Sequence, residues 1–386
     1  CRRNKPDYLC AMLHDGRQHR ANSCEYSEGL AHAKSTYLST DDEKYKAWSA
    51  QRKAHLEGLT AALLFPKIRQ GDRGALASAI TLVESEQIKH RTEAYTLLNM
   101  CLPHSGTSWR IGITGVPGVG KSTFIEQIGK KLIEEGHRLA VMAIDPSSSI
   151  SGGSIMGDKT RMETLSMHQD VFIRPTPTGK TLGGVAQHTR EAIILCEAAG
   201  YDVVLVETVG VGQSETMVHG MVDFFLLLML SGAGDELQGI KRGIMEMADG
   251  ILITKADQGN EGQAKQAKLT YQNALHLLSS KAQGWTPQVD CISSIEARGM
   301  EIPIAWWKKY FDEGTRSGYL KARRRDQDLH YFEERIQQKL TEFLATDQRI
   351  AEMYQSWRNQ ISEGKCSPQE AAHALFEQIT QKDGGI

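Results

Sequence analysis

A glycine-rich loop between a short apolar strand and a helix constrains this chain more than any other feature. Residues 115–122 read GVPGVGKS, which matches the phosphate-loop pattern GxxxxGK[ST] at every fixed position. The glycines let backbone N–H groups turn toward phosphate oxygens, and the positive end of the following helix adds to the attraction. The predicted phosphate contacts are Gly115, Val116, Pro117, Gly118, Val119, Gly120, Lys121, Ser122 and Thr123. We expect Lys121 to reach the β- and γ-phosphates and the Ser122 hydroxyl to ligate Mg²⁺.

The segments around this loop alternate between apolar strands and helices, which indicates an α/β fold with a mostly parallel sheet. Strands are predicted at 110–114, 138–144, 171–174, 202–207, 223–230, 250–254 and 288–293, and helices at 121–135, 182–199, 235–247 and 260–280. The flanking regions have helical periodicity. The predicted organisation is a polar tail (1–40), a helical extension (41–104), the α/β core (105–299) and a C-terminal helical region (300–386). The basic triplet Arg323, Arg324 and Arg325 is interpreted as a solvated helix face.

The composition narrows the class of protein. A hydrophobic content of 40% with a net charge of −2 excludes global disorder and provides no basic field for nucleic acid. The longest apolar run, residues 224–230, is too short to span a bilayer. Seven cysteines without a CxxC pair are typical of a reducing compartment. We therefore expect a soluble intracellular protein without nucleic-acid or membrane partners.

Two of the cysteines and two of the histidines in the polar tail raise the question of a metal site. Cys10, His14, His19 and Cys24 have a spacing that matches no zinc signature. We therefore interpret residues 1–40 as a loose tail.

A second apolar strand, at 202–207, ends in a carboxylate and is followed by glycine. Glu207 is positioned to lie near the metal of a phosphate site, and the N–H of Gly210 is positioned to meet a γ-phosphate. Gln213 and Glu215 would move with this loop. The alternative is an ordinary buried strand that ends in a surface acid.

A third strand, at 250–254, ends in the sequence TKAD, which resembles the guanine-reading [NT]KxD element of GTPases. The carboxylate of Asp257 can accept hydrogen bonds from guanine N1–H and from its exocyclic amine, whereas adenine has no matching pair of donors. The stem of Lys255 would pack on the ring. Further base contacts are predicted after the next strand, at Ser293, Ser294 and Ile295.

At these motifs the sequence resembles the MeaB/ArgK-type family of P-loop GTPases, which are chaperones of adenosylcobalamin-dependent methylmalonyl-CoA mutase and include the mitochondrial methylmalonic aciduria type A protein. The resemblance covers residues from about 60 to the C-terminus. It is carried by the segments 113–123, 144–149, 157–162, 206–215 and 234–243. The last of these, GDELQGIKRG, is the most specific, because ordinary GTPases lack it. This sequence departs from the family at Thr254, where Asn is common, and at Ile295, where relatives often have a polar residue.

The resemblance implies functions for residues that the motifs alone do not assign. It implies a SIMIBI-type core that binds GTP or GDP with Mg²⁺, in which Asp145, Asp158 and Glu207 surround the metal and its waters. Residues 147–158 and 210–215 correspond to the first and second switches. The segment with Asp235, Gln238 and Lys241 corresponds to an additional switch that couples the nucleotide state to the mutase, and Lys241 assists hydrolysis. The catalytic residues implied are thus Lys121, Glu207 and Lys241.

The expected function is a slow GTPase that gates cofactor loading into a cobalamin-dependent acyl-CoA mutase and protects it, with cobalamin bound only by the mutase. The resemblance also implies a homodimer through the C-terminal helices, and Ile336, Leu340, Phe343 and Leu344 recur there at helical spacing. The bacterial type of the motifs favours the cytoplasm, with the mitochondrial matrix as the alternative.

Three other functions stay open at this point. A metal-insertion GTPase would need Cys/His ligands; outside the polar tail the close pair is Cys101 and His104, which precedes the phosphate loop and is interpreted as a helix-ending turn. A kinase would need an acceptor pocket and a base. A module that does not hydrolyse the nucleotide would keep the same motifs.

Overall fold

A computed structural model describes residues 58–85, 87–144, 162–176, 182–208, 214–231, 242–276 and 284–380. Residues 61–386 form one compact unit, and residues 1–60 form another, of which only the last three residues are described. The predicted tail lies outside the described residues, and the predicted domain boundaries remain predictions. Within the described ranges, no helix is long and apolar enough to cross a bilayer.

The centre of the larger unit is a seven-stranded sheet in which every neighbouring pair of strands is parallel. The strand order is β3-β2-β4-β1-β5-β6-β7. The strands are β1 (Trp109–Gly115), β2 (Leu139–Ile144), β3 (Val171–Thr176), β4 (Val203–Thr208), β5 (Phe224–Leu230), β6 (Gly250–Thr254) and β7 (Gln288–Cys291). This confirms the predicted α/β fold, and the strand bounds differ from the predicted ones by two residues at most.

Helices precede the sheet, connect its strands and follow it. The helices before β1 are α1 (Ala61–Arg69), α2 (Arg73–Val83) and α3 (Ile88–Cys101). The helices between strands are α4 (Lys121–Glu134), α5 (Glu163–Ser166), α6 (Leu182–Ala198), α7 (Ser214–His219), α8 (Arg242–Met247) and α9 (Glu261–His276). The C-terminal helices are α10 (Glu301–Arg316), α11 (Tyr319–Thr346), α12 (Gln348–Ser362) and α13 (Pro368–Thr380). The helical extensions predicted on both sides of the core are therefore present.

Burial of the central strands on both faces explains their uninterrupted apolar sequences. Every residue of β2 and β4 is buried. On β1, Ile111 and Ile113 belong to the same apolar cluster as Phe124 of α4. Position 112 faces the other side of the sheet: a Cβ added at Gly112 would lie 2.8 Å from the Val218 side chain on α7. Helices α4 and α7 therefore cover opposite faces of the strand that leads into the phosphate loop.

Two buried ion pairs hold the amino-terminal edge of the sheet. Glu197 on α6 accepts hydrogen bonds from the Arg110 guanidinium at 2.8 and 2.9 Å and from the Ser108 hydroxyl at 2.5 Å. Burial alone would raise the pKa of Glu197, but these donors and the charge of Arg110 hold it below its usual value. Asp223, fully buried beside them, forms the second pair with Arg324 of α11.

The pair formed by Asp223 corrects the interpretation of the basic triplet. The Arg324 guanidinium donates to the two Asp223 carboxylate oxygens at 2.8 and 2.5 Å, and its side chain is only 13% exposed. Arg323 is half-buried and donates to the Tyr319 hydroxyl at 3.0 Å, so only Arg325 matches the predicted solvated face. The prediction was wrong for Arg324 because its partner lies elsewhere in the fold, and it was wrong for Arg323 because that side chain is half-buried beside Tyr319 on the same helix. A buried charge needs a paired charge, and here α11 supplies it.

Candidate nucleotide-binding site

The parallel sheet brings the predicted motifs to one edge. All strands point the same way, so the loops after β1, β4, β6 and β7 leave the sheet at its carboxyl end. Strand β1 lies between β4 and β5. The chain continues from β1 to β2 on one side of it, whereas β5, β6 and β7 lie on the other side, so the strand order reverses at β1. A crevice outside the carboxyl ends of strands, where the strand order reverses, is the usual place for a ligand in such sheets.

The phosphate loop joins β1 to α4 through backbone conformations that require glycine. Gly120 has φ +95° immediately before the first residue of α4, in the left-handed region that side chains disfavour. Gly115 approaches β5 so closely that a Cβ would lie 2.5 Å from the Leu228 carbonyl oxygen. Val119 is the buried apolar anchor of the loop, at 1% exposure. The loop therefore has the conformation for which its glycines were predicted.

Lys121 is buried in the first turn of α4, at 8% exposure. Its Nζ donates to the carbonyl oxygens of Gly115 at 2.7 Å and Val116 at 3.3 Å. Burial lowers the pKa of Lys121, and the charges of Glu207 and Glu215 oppose that shift. The ammonium group is thus held inside the loop, close enough to both carboxylates to be influenced by them.

The ends of β1 and β4 are tied together beside this lysine. Glu207 is paired in register with Ile113 and is 4% exposed. Next to it, the Thr208 hydroxyl donates to the Thr114 hydroxyl oxygen at 2.9 Å, and both side chains are buried. Glu207 is therefore a buried carboxylate and not the surface acid of the alternative interpretation, and its position near a metal stays a prediction.

The loop after β6 is strained and is held by surrounding hydrogen bonds. Lys255 has φ +56°, which is unfavourable for a residue with a side chain. The Asn260 side chain donates to the Lys255 carbonyl at 3.2 Å, and the next N–H, of Ala256, donates to the Ile292 carbonyl at 3.1 Å. The Arg298 guanidinium donates to the Ala256 carbonyl. Strain of this kind that persists in a loop commonly marks a ligand site.

These contacts bring Asp257 together with the residues that follow β7. Asp257 is 6% exposed, and its Oδ2 accepts a hydrogen bond from the fully buried Ser293 hydroxyl, which in turn accepts from the Glu296 N–H at 3.1 Å. Ser294 is 8% exposed, and its buried hydroxyl has no hydrogen-bond partner among the described residues. Ile295 is 68% exposed at the rim. The structure thus provides a buried carboxylate bonded to Ser293 and, on the residue after Ser293, an unused hydroxyl, which are groups that a purine edge can pair with.

Thr254 links this loop to the phosphate loop. Its hydroxyl lies 2.8 Å from the Val119 carbonyl oxygen and 3.2 Å from that of Met229, and the side chain is 2% exposed. The sequence pattern treats Thr at this position as the loss of a side-chain amide. In the fold, the hydroxyl makes a direct bond between the two halves of the site.

We predict that Thr254→Val weakens GTP binding. The substitution keeps the shape of the side chain but leaves the buried Val119 carbonyl without its donor, at a cost of about 1–2 kcal/mol or roughly tenfold in affinity. Calorimetry measures the change, and Thr254→Ser should restore most of the affinity. Thr270→Val is the matched control, because that exposed hydroxyl donates to the Gln266 carbonyl within α9. Parent-like affinity in Thr254→Val would contradict this role.

Several predicted site residues lie outside the described residues: Asp145, Asp158, Gly210, Asp235, Gln238 and Lys241. Three contributors were missed by sequence reasoning, namely Arg298, Asn260 and the tie between Thr114 and Thr208. No local pattern marks Arg298 or the bond between Thr114 and Thr208, because the partners lie 42 and 94 residues apart in the chain. Asn260, which follows a glycine just before a helix, carries the clearest turn signal.

Cys101 and His104 lie where α3 ends. Cys101 is fully buried at the end of α3, and burial raises the pKa of its thiol to about 11. His104 lies in the short 3₁₀ turn Leu102–His104 and packs near the Phe65 ring, with 5.7 Å between ring centroids. A thiol that stays protonated at neutral pH is a poor metal ligand. The predicted helix-ending turn is confirmed.

Comparison with known proteins decides the family. The family model described as methylmalonyl-CoA mutase-associated GTPase MeaB matches residues 76–349, well over half of the chain. The chain belongs to the MeaB family of P-loop GTPases. It is accordingly a GTPase that binds guanine nucleotide and hydrolyses GTP to GDP and phosphate. The family assignment agrees with the resemblance carried by the site motifs.

Relatives of this MeaB-family chain come from bacteria and animals. It is 48% identical over 306 residues to a putative GTPase of Caulobacter vibrioides, which covers 79% of this chain and 94% of the relative. It is 43% identical to the GTPase ArgK of Escherichia coli (83% and 97% covered) and 43% identical to the mitochondrial methylmalonic aciduria type A homolog of Mus musculus (85% and 83% covered). A solved structure of an LAO/AO transport system kinase superposes with a TM-score of 0.67 at 37% identity, covering 83% of this chain and 97% of that one.

Proposed function

We propose that this GTPase is a chaperone of a cobalamin-dependent acyl-CoA mutase, most directly methylmalonyl-CoA mutase, and that it gates loading of the cofactor and protects the mutase. The observation that carries the proposal is the match over residues 76–349 to a family described as mutase-associated. The segment GDELQGIKRG at 234–243, which is intact in this sequence, supports it. Cobalamin belongs to the partner in this proposal.

In the proposed mechanism the phosphate loop positions the triphosphate. Backbone N–H groups of residues 115–123 surround the phosphate oxygens, and Lys121 turns from the loop carbonyls toward the β- and γ-phosphates. The positive charge of its buried side chain then meets charge that develops on the phosphates, where low dielectric makes the interaction strong. Gly210 would donate its N–H to the γ-phosphate.

A magnesium ion fits the residues on this side of the site. The Ser122 hydroxyl, in the first turn of α4, and the buried Glu207 carboxylate, at the end of β4, are hard oxygen donors of the kind that Mg²⁺ prefers. We propose that Ser122 holds the ion with Asp145, Asp158 and Glu207, directly or through waters. When bound, the ion neutralises charge on the β- and γ-phosphates.

Base recognition is proposed at the loops after β6 and β7. Asp257 would accept hydrogen bonds from guanine N1–H and from the exocyclic amine. A carboxylate oxygen has two lone pairs, so the bond from Ser293 to Oδ2 still leaves an acceptor site on each oxygen. The unpartnered Ser294 hydroxyl would donate to guanine O6. Lys255 would cover the ring with its stem, and Ile295 would line the rim.

We predict that the mutase stimulates GTP hydrolysis and that Lys241→Ala loses the stimulation. Turnover by the protein alone should be slow, because the Gln of ordinary Ras-like switches has no counterpart in this sequence at the same spacing after Glu207. The mutase would order residues 235–241 and bring the Lys241 cation toward the phosphates. Single-turnover hydrolysis with and without methylmalonyl-CoA mutase measures this for the parent and Lys241→Ala. Gln238→Ala should weaken the coupling by misordering the same segment.

The controls for this experiment separate its outcomes. Lys241→Ala must keep the parent's GTP affinity, and Lys265→Ala on α9 is a matched lysine control. Equal stimulation of the parent and Lys241→Ala would remove Lys241 from the mechanism. Absence of stimulation in the parent would contradict the chaperone proposal.

We also propose a homodimer through the C-terminal helices. An apolar stripe runs along α11 and is 45–61% exposed at Leu329, Phe332, Ile336, Leu340 and Phe343. Leu344, at 37% exposed, flanks it. Such a stripe at helical spacing on a 28-residue helix is suited to packing against a second copy.

The dimer prediction is tested by charging the stripe. Ile336→Glu with Leu340→Glu should convert the dimer to a monomer, as measured by light scattering, while Leu269→Glu at an equally exposed site on α9 should not. A truncation after residue 318 is a poor test, because it removes Arg324 and leaves Asp223 buried without its partner. A dimer that persists in the double variant would place the interface elsewhere.

The named alternatives receive less support. Within the described ranges no group of three or more His, Cys, Asp or Glu side chains is placed to hold a metal ion as cargo. The relatives named as GTPases favour hydrolysis over transfer to an acceptor. We propose a cytoplasmic location, which the bacterial relatives support, and the mitochondrial relatives make the matrix the alternative.

A further inference from the structure

The first part of α11 is fastened to the segment that follows α7. The Gln327 side-chain amide donates to the Val222 carbonyl at 2.8 Å and is 3.4 Å from the His219 carbonyl. The Arg323 guanidinium lies 3.5 Å from His219 Nε2. Next to them, Arg324 pairs with the buried Asp223. Residues 219–223 are therefore held by polar contacts from three residues on one face of α11.

The other end of α7 lies at the phosphate loop. Glu215, in the first turn of α7, is fully buried, and its charge is near enough to Lys121 to oppose the effect of burial on that lysine. The helix has six residues and is about 9 Å long. One short helix thus spans the distance from the phosphate-loop lysine to the contacts with α11.

Close packing makes α7 move with the strand beneath it. Gly112 of β1 leaves so little space that a Cβ there would be 2.8 Å from Val218 and 3.0 Å from Val222. Both valines are completely buried. Displacement of one end of such a packed, hydrogen-bonded unit is transmitted to its other end, because the interior cannot deform gradually.

We infer that Gln327 is a positioning residue of the GTPase: by holding the carboxyl end of α7, it makes the relative affinity for GTP and GDP depend on α11. Helix α7 begins at the end of residues 210–215, the predicted second switch. Exchange of GTP for GDP that shifts α7 must change the two Gln327 contacts. By linkage, the free energy by which the nucleotide changes these contacts equals the free energy by which the contacts change the preference for GTP over GDP. The position of the apolar stripe on α11 would then depend on the bound nucleotide, and so would its packing against the second copy proposed above.

The surroundings of α11 leave room for such a shift. The same part of the helix borders a cavity of about 830 Å³, whose lining includes Lys321, Arg324, Asp328 and Tyr331. Side chains around a cavity are not locked on that side by packing. The position of this part of α11 therefore depends strongly on its polar contacts. The contacts of Gln327 are made by an uncharged side chain, whereas those of Arg323 and Arg324 are made by charged ones.

Gln327 is better suited to a test than its neighbours. Removing Arg324 would leave the Asp223 carboxylate buried and unpaired, which threatens the fold. Gln327 is neutral and half-buried, and methionine has nearly its shape without the donor amide. Gln337, exposed on the same helix, is the matched control.

The test compares the affinities of the parent, Gln327→Met and Gln337→Met for GDP and for a non-hydrolysable GTP analogue by calorimetry. Gln327→Met should change the ratio of the two affinities by about fivefold or more, with a parent-like melting temperature, and Gln337→Met should leave it unchanged. An unchanged ratio in Gln327→Met would overturn the inference. An equal loss for both nucleotides would also overturn it, because it indicates a purely structural role.

Hydrogen exchange on the parent keeps the inference testable if Gln327→Met does not fold. Amides of residues 323–331 should exchange at least about fivefold differently in the GDP and GTP-analogue complexes, which is the lower end of usual coupling. Identical exchange in the two complexes would overturn the inference. The test does not involve the mutase, so it stands or falls separately from the chaperone proposal.

Discussion

Lys121→Ala should abolish tight GTP binding and leave the fold intact. The ammonium group is the one loop cation, and in the complex it would make charge-assisted bonds to two phosphates, so its loss should cost at least about 3 kcal/mol, or more than about 100-fold in affinity. Stability should change little, because burial of this cation is itself costly and lowers its pKa. Calorimetry with GTP and thermal unfolding measure the two effects.

The control for Lys121→Ala is a lysine on the same helix. Lys131 is 38% exposed and lies 3.6 Å from the Glu301 carboxylate, so Lys131→Ala should keep the parent's GTP affinity. Parent-like GTP binding by Lys121→Ala would show that residues 115–122 are not the phosphate site.

Asp257→Asn should exchange guanine for xanthine specificity. Asp257 Oδ2 accepts from Ser293, so the asparagine oxygen should keep that place and turn its amide NH₂ toward the base. In that position the NH₂ group would face the exocyclic amine of guanine, and two donors cannot pair. With xanthine the same NH₂ group could donate to the O2 carbonyl. A buried polar mismatch in a site built for hydrogen bonding typically costs several kcal/mol, and we expect GTP affinity to fall by about 10³-fold or more.

Competition between GTP and xanthosine triphosphate measures this exchange. Asp290→Asn is the control, because Asp290 on β7 is paired with Lys268 at 2.7 Å and is 32% exposed. Retained preference for GTP in Asp257→Asn would show that another group reads the base.

Features that depend on short stretches of sequence could be predicted. The apolar run at 203–206 and the glycine pattern at 115–120 determine a buried parallel strand and a phosphate loop by local rules, and both are present. The positions of Asp257 and Ser293 were predicted one at a time from their places after strands. Their direct hydrogen bond is what the fold adds.

Features that depend on distant partners could not be predicted. Arg324 was interpreted as solvated, because its partner Asp223 lies about a hundred residues earlier in the chain. Thr254 was interpreted as the loss of a side-chain amide, because only the fold places its hydroxyl 2.8 Å from the Val119 carbonyl oxygen. A helical pattern shows which residues share a face, but it does not show which charges on that face become buried.

Calorimetric titration of the unaltered protein with GTP and with ATP, each with and without Mg²⁺, tests the central claim that this site is specific for guanine nucleotide. The account predicts that GTP with Mg²⁺ binds at least about 100-fold more tightly than ATP, because adenine offers no pair of donors to Asp257. It also predicts that withdrawal of Mg²⁺ weakens GTP binding. Equal affinities for GTP and ATP would contradict the account.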